Sequence, residues 1–200
     1  QHQLARSLLP LGGFNKTEVR AMAEDAGLPV AHKAESQEIC FVSSGSYGDF
    51  VEQYTGEVPR SGQFRLANGE YLGPHRGIHR YTIGQRKGLG LALGKPVFVT
   101  RIDAGNHEVW LGEDRELFKP GLVAAQVNYI SGKPFLTPRQ VTAKIRSAAP
   151  RVGATAIPLE NQRLEVVFEH PQRAITPGQA VVIYDGDQVL AGGTIADFID

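Results

Sequence analysis

The chain has 200 residues, 21 Lys and Arg against 21 Asp and Glu, and a formal net charge of zero; it is 42% hydrophobic and 21% charged. That is length for one large or two small domains with a globular composition, which excludes a disordered or fibrous chain. No apolar run approaches bilayer length, no charged-then-apolar start resembles a secretory signal, and one cysteine excludes an internal disulfide or a multi-cysteine zinc site, so a cytoplasmic, reducing setting without membrane or metal is expected.

Residues 1–9 read as helical and start abruptly, with no cap and no initiator Met, as a piece of a longer protein would. Leu11-Gly12-Gly13 breaks this stretch. Asn15 then offers an N-cap, with Glu18 three residues on to complete a capping box. Val19, Met22, Ala23 and Ala26 recur at helical spacing and Gly27 suits the position just past the end, so a helix is expected over 16–26, with Met22 in its core.

Ala34 to Val42 holds Cys40. Ile39, Phe41 and Val42 would make core neighbours for a buried thiol, which behaves as a small hydrophobe. A reactive thiol needs access and positive surroundings. Glu35 and Glu38 oppose a thiolate, whereas His32 and Lys33 favour it, so the local sequence leaves both readings open. Ser43-Ser44-Gly45-Ser46 is a loop and a boundary. Ser46 with Asp49 starts a second helix with Phe50, Val51 and Tyr54 on its buried face, and Gly56 ends it.

The period then changes to two. Gln63 to Ala67 and Glu70 to Leu72 flank Asn68-Gly69, a strong hairpin signal. Lys95 to Asp103 and Glu108 to Leu111 form a second hairpin about Gly105-Asn106, with Trp110 packing in its second strand. Between them runs a basic, glycine-rich stretch, His79 to Gly90. It is no Walker A loop, because Gly94-Lys95 is followed by Pro96. It is no dinucleotide fingerprint, because Leu93 stands where a third glycine belongs. Its glycines permit unusual backbone angles, leaving Arg86 and Lys87 free to meet phosphates. His75 and His79 lie four apart but outside any helix, and an ordinary surface pair is expected rather than a metal site.

From Gly121 onward the chain reads as all β. Strands are expected at 122–129, 140–147, 154–159, 163–169, 180–184 and 188–195, with Asp185-Gly186-Asp187 as a tight turn. Leu164, Val166 and Phe168 alternate with polar residues as in a half-buried strand. Six short strands in about 80 residues read as a small barrel or sandwich. Charge is unevenly spread: 71–102 holds six cations and no acid, and 119–159 another six with none. Such segregation is the footprint of a basic face on a neutral protein, directed at a phosphate-rich partner.

Three segments, in order, carry a family resemblance: Ser36-Gln37-Glu38-Ile39-Cys40-Phe41-Val42, Tyr81-Thr82-Ile83-Gly84-Gln85-Arg86-Lys87-Gly88-Leu89-Gly90, and Thr176-Pro177-Gly178-Gln179-Ala180. Together they resemble the tRNA-specific 2-thiouridylases, essentially from end to end. The resemblance implies a mixed α/β fragment in three parts. Residues 1–45 would be the helical remnant of an ATP-pyrophosphatase domain, 46–118 a small, mainly β central domain, and 119–200 a C-terminal β-barrel. It implies a sulfurtransferase that thiolates C2 of the wobble uridine in tRNAs for lysine, glutamate and glutamine. ATP would adenylate the uracil oxygen through the N-terminal part, and a persulfide sulfur would displace AMP. Cys40 would carry that persulfide, received from a sulfur-relay protein or a cysteine desulfurase. The ATP motif and a second cysteine would lie upstream, so these residues alone are expected to be inactive. Arg146, with Ser147 beside it, and Gln179 would meet the tRNA. Ser147 stands where an aromatic is common, and Gln37-Glu38 where Thr-Gly is frequent. The alternative is a non-catalytic RNA-binding module with a structural cysteine.

Overall fold

The computed structural model describes residues 2–33, 47–56 and 58–200. The chain divides into two compact units, Gln1–Val51 and Glu52–Asp200.

In the first unit, helix α1 spans Lys16–Asp25. The Asn15 side chain accepts from the Thr17 and Glu18 amides at 3.0 and 3.1 Å, and Glu18 accepts from the Asn15 amide at 2.7 Å. This reciprocal box satisfies amides that have no partner inside the helix. At the other end Gly27 takes a φ of 64°. Its N–H reaches the Glu24 carbonyl and that of Leu28 reaches Ala23, the paired bonds of a Schellman ending. Two expectations fail here. Of the stretch expected to be helical, the described residues 2–9 form only one 3₁₀ turn, Leu4–Arg6, because Ser7 is already extended and the residue before Pro10 is pushed out of the helical region. Met22 is not core: it is 45% exposed and α1 has no buried residue. Its spacing is amphipathic, but spacing specifies a face and not a cover for it.

Helix α2 spans Tyr47–Thr55 and ends at Gly56, whose φ is 65° and whose N–H reaches the Glu52 carbonyl. Phe50 and Val51 are half-buried as expected, but Tyr54 is 81% exposed. Glu52 explains the difference. Its carboxylate is drawn inward by His79 and Arg80, and Tyr54, two residues on, lies roughly 200° round the helix.

The second unit begins with a four-stranded sheet in the order β2-β1-β4-β3. Strands β1 (Gly62–Leu66) and β2 (Tyr71–His75) form the hairpin expected at Asn68-Gly69, with Gly69 at φ 87°. Strands β3 (Phe98–Asp103) and β4 (Glu108–Gly112) form the second hairpin, and β4 pairs in parallel with β1. Strand β3 starts at Phe98 rather than Lys95, since Pro96 has no N–H for a ladder and Gly94 sits at φ 68°. Phe64, Val99, Val109 and Leu111 make the core, joined from the following loop by Leu89 and Val97. Trp110 is half-buried on β4.

A 3₁₀ turn, Asp114–Leu117, leads into a closed six-stranded barrel ordered β10-β5-β8-β7-β6-β9. Its strands are β5 (Phe118–Tyr129), β6 (Arg139–Lys144), β7 (Val152–Leu159), β8 (Arg163–Arg173), β9 (Ala180–Asp185) and β10 (Gln188–Ile199). The mixed fold with a terminal barrel is the class expected from the sequence. Leu164, Val166 and Phe168 all point inward, and closure leaves no strand edge unpaired.

Candidate nucleic-acid interface

The loop from Tyr81 to Val97 is anchored at its start. The Tyr81 ring meets Phe64 and His75 edge to face at 5.1 and 5.3 Å. His75 is only 4% exposed. Its Nδ1 accepts the Gly77 N–H at 3.1 Å, which leaves Nε2 to donate to the His107 carbonyl at 3.1 Å. Burial holds its pKa below the ordinary histidine value. His79 instead places Nε2 2.8 Å from Glu52, whose carboxyl that hydrogen bond, with help from Arg80, holds below its ordinary value. The expected surface pair is therefore wrong: one histidine is core and the other belongs to an ion-pair cluster. No group of three metal-ligating side chains occurs among the described residues.

Beyond Tyr81 the loop runs alongside β3. The Gly84 N–H reaches the Val99 carbonyl at 2.8 Å, and the Val99 N–H reaches Gln85 at 2.9 Å. Gly84 holds φ 87°. The Gln85 side chain spans the loop, accepting from the Thr82 amide and donating to the Lys87 carbonyl, both at 3.0 Å. This brace leaves Arg86 and Lys87 exposed. Gln85 sits in a motif read from the sequence, but its bracing role needed the loop geometry to be seen. The loop continues into β3 and not into a helix, so the stretch lacks the loop-to-helix form of a nucleotide cradle.

On the barrel, Thr176 to Gln179 forms a turn with Gly178 at φ 87° and the Gln179 N–H returning to Thr176 at 3.2 Å. Proline followed by a positive-φ glycine is the chemistry of a type II turn. Strand β10 pins it: the Gly178 N–H reaches Ile195, and that of Ile195 reaches Gln179, both at 2.8 Å. Gln179, Arg146 and Ser147 are exposed. Arg146 donates from Nη2 to the Arg173 carbonyl at 3.4 Å. Gly84 lies against the neighbouring residue, where an added Cβ would stand 3.0 Å from that of Ala174. The structure thus brings the glycine-rich loop to Arg173 and Ala174, and Arg146 to the Arg173 carbonyl. Cys40 lies outside the described residues.

The two acid-free windows are less basic in space than in sequence. Arg80 pairs with Glu52, Lys119 with Asp200, Arg139 with Asp185 and Arg151 with Asp187. Helix α2 delivers Glu52, while antiparallel pairing and the turn after Asp185 deliver the other three acids, each from outside its window. Arg86, Lys87 and Arg146 have no such carboxylate partner among the described residues. No described helix is long and apolar enough to cross a membrane.

Comparison with known proteins matches three family models in succession. These are a tRNA methyl transferase HUP domain at residues 1–44, a tRNA methyl transferase PRC-barrel domain at 48–113, and an aminomethyltransferase beta-barrel domain at 119–195. The chain is 51% identical over 98% of its length to a tRNA-specific 2-thiouridylase MnmA of Acetivibrio thermocellus, covering 54% of that protein. It is 51% identical over 98% of its length to that of Moorella thermoacetica, covering 55% of it. With the protein of Clostridium beijerinckii it shares 46% over its whole length, covering 56% of that relative. The chain spans about half the length of the curated relatives it matches. With matches that run from its first residues to the end of its barrel, the chain belongs to the tRNA-specific 2-thiouridylase family.

Proposed function

We propose that this chain takes part in the 2-thiolation of the wobble uridine of tRNAs for lysine, glutamate and glutamine, as part of a cytoplasmic tRNA sulfurtransferase. The observation that carries this reading is identity near one half along 98% of the chain with proteins named tRNA-specific 2-thiouridylase. Division into 1–45, 46–118 and 119–200 is supported by the spans of the three family models.

Cys40 is the sulfur carrier. Its thiolate attacks the outer sulfur of a persulfide on a relay protein or a cysteine desulfurase, and that donor leaves as a thiol. The terminal sulfur of the new Cys40 persulfide then attacks C2 of an adenylated uracil and AMP departs. A second thiol breaks the remaining S–S bond and becomes half of a disulfide. Cys40 is the only cysteine here, so that thiol comes from beyond these residues. ATP binding is assigned likewise, because the described residues offer no cradle for it. Arg86, Lys87, Arg146, Ser147 and Gln179 hold the tRNA, the cations mainly through phosphates. Exposure of all five, and the absence of carboxylate partners for the three cations among the described residues, support that role.

Intact and peptide mass spectrometry after incubation with a cysteine desulfurase, its relay proteins and cysteine tests the carrier. The expected result is a reducible gain of one sulfur on the Cys40 peptide, lost in Cys40→Ser. Absence of any sulfur gain on the Cys40 peptide, with tRNA binding intact, overturns the assignment in favour of an RNA-binding module with a structural cysteine.

A further inference from the structure

We propose that Arg173 is the positioning residue that fixes the glycine-rich loop against the barrel rim, so that Arg86, Lys87 and Arg146 form one phosphate-binding surface; this rests on the tRNA reading above. Arg173 ends β8, paired across the ladder with Phe118. Its Nε and Nη2 donate to one oxygen of Asp114, in the connecting turn, at 3.1 and 2.8 Å. Its Cζ lies 5.4 Å from the centre of the Phe98 ring on β3. An added Cβ on Gly84 would stand 3.6 Å from its Nη1. Its carbonyl accepts from Arg146. One residue therefore touches the sheet, the connecting turn, the loop and the barrel cation.

The next residue tightens this joint. Ala174 is 3% exposed, takes φ 55°, and donates its N–H to the Leu117 carbonyl at 2.9 Å. Gly84 needs its own φ of 87°, and a Cβ added there would stand 3.0 Å from the Ala174 methyl, so a side chain at 84 is strained twice over. Arg86 is only two residues, roughly 7 Å of chain, beyond this contact.

Stability is not what the Arg173–Asp114 pair supplies. Both side chains are a third or more exposed, and such pairs contribute little. A planar guanidinium held by an ion pair at its edge and by a ring at its face has a defined orientation, which a lysine would not reproduce. Its charge is already matched by Asp114, so Arg173 places other cations and does not itself meet phosphate.

The test uses the whole chain, with spin labels on Lys87→Cys and Ser147→Cys in a Cys40→Ser background, and an unmodified tRNA transcript as the probe for unlabelled variants. With Arg173 intact the label distance is narrowly distributed. Arg173→Ala broadens it at unchanged melting temperature. It also lowers the salt slope of tRNA binding by about 1.5, as two phosphate contacts drop out together. Asp114→Asn produces the same broadening and weaker binding although every cation is retained. An unchanged label distribution overturns the proposal, as does tighter binding in Asp114→Asn, which is the result for an Arg173 released to meet phosphate directly. If the unaltered chain binds tRNA without salt dependence, the tRNA reading fails and the shared surface with it, while the labels still report whether Arg173 holds the loop.

Discussion

The barrel and the four-stranded sheet are built from similar short strands, yet they bury themselves differently. The barrel closes, and its interior is wholly apolar, from Leu122 and Ala124 to Ile183 and Ile195. The sheet is open at β2 and β3 and completes its core with residues from the loop beyond Tyr81, among them Leu89, Leu91 and Leu93. It also buries a histidine. A closed barrel is stable without reference to what its rim carries. In the sheet, the loop that seals the core also carries Arg86 and Lys87, so stability and presentation of those cations are linked.

The largest expected effect breaks this comparison if it fails. Phe64→Ala removes a fully buried ring and its edge-to-face contacts with Tyr81 and His75, at a cost of about 3–5 kcal/mol. Leu164→Ala in the barrel costs about 2–5 kcal/mol by the same cavity argument. Denaturant titration measures both. Under conditions where each variant remains folded, Phe64→Ala also lowers the salt slope of tRNA binding, because it loosens the loop, and Leu164→Ala leaves the slope unchanged. Equal slopes in the two variants would mean that loop and sheet are not linked.

The buried histidine gives a second, smaller difference. The folded pKa of His75 lies below its ordinary value of 6.5. The folded chain therefore takes up its proton less readily than the unfolded chain. Stability from this group is fully present above about pH 6.5 and declines as the pH falls below it. Protonation would also set an N–H against the Gly77 N–H. Denaturant midpoints measured from pH 7.5 down to 5.5 are expected to fall in the native chain and to fall less in His75→Leu. Parallel pH dependence in the two would remove His75 as the cause. The barrel has no buried histidine among its core residues, so barrel variants keep the native slope.

The two regions also differ in how much of them the sequence discloses. The barrel strands are legible because alternation along Leu164, Val166 and Phe168 reports a face that is in fact buried, and the Asn68-Gly69 and Asp185-Gly186 turns are legible because few residues accept their backbone angles. Met22 and Tyr54 are exposed against expectation for one reason: helical spacing marks an apolar stripe, but what covers it is a tertiary fact. The burial of His75 is not legible because its two partners, the His107 carbonyl and the Gly77 amide, are backbone groups that carry no side-chain signature. The candidate interface was half legible. Its cations stand out in windows without acids, but which of them are neutralised depends on strand pairing, and the meeting of Gly84 with Ala174 spans 90 residues that no local pattern joins.

That dependence on pairing yields the smallest expected effect. Arg139 and Arg146 belong to the same acid-free window; Arg139 opens strand β6 and Arg146 follows its end. Arg139 lies 2.7 Å from Asp185 at the end of the adjacent strand β9, with both side chains about half exposed. Such a pair contributes about 0.2–1 kcal/mol, and its net charge is nil. A double-mutant cycle on Arg139→Ala and Asp185→Ala is therefore expected to give a coupling in that range, shrinking as salt is raised. Arg139→Ala should leave the salt slope of tRNA binding unchanged, whereas Arg146→Ala lowers it by about 0.7–0.9, one phosphate contact. If the two substitutions change the slope equally, strand pairing does not select the cations that meet RNA, and the windows counted along the sequence would be the better guide to the interface than the ion pairs across the barrel.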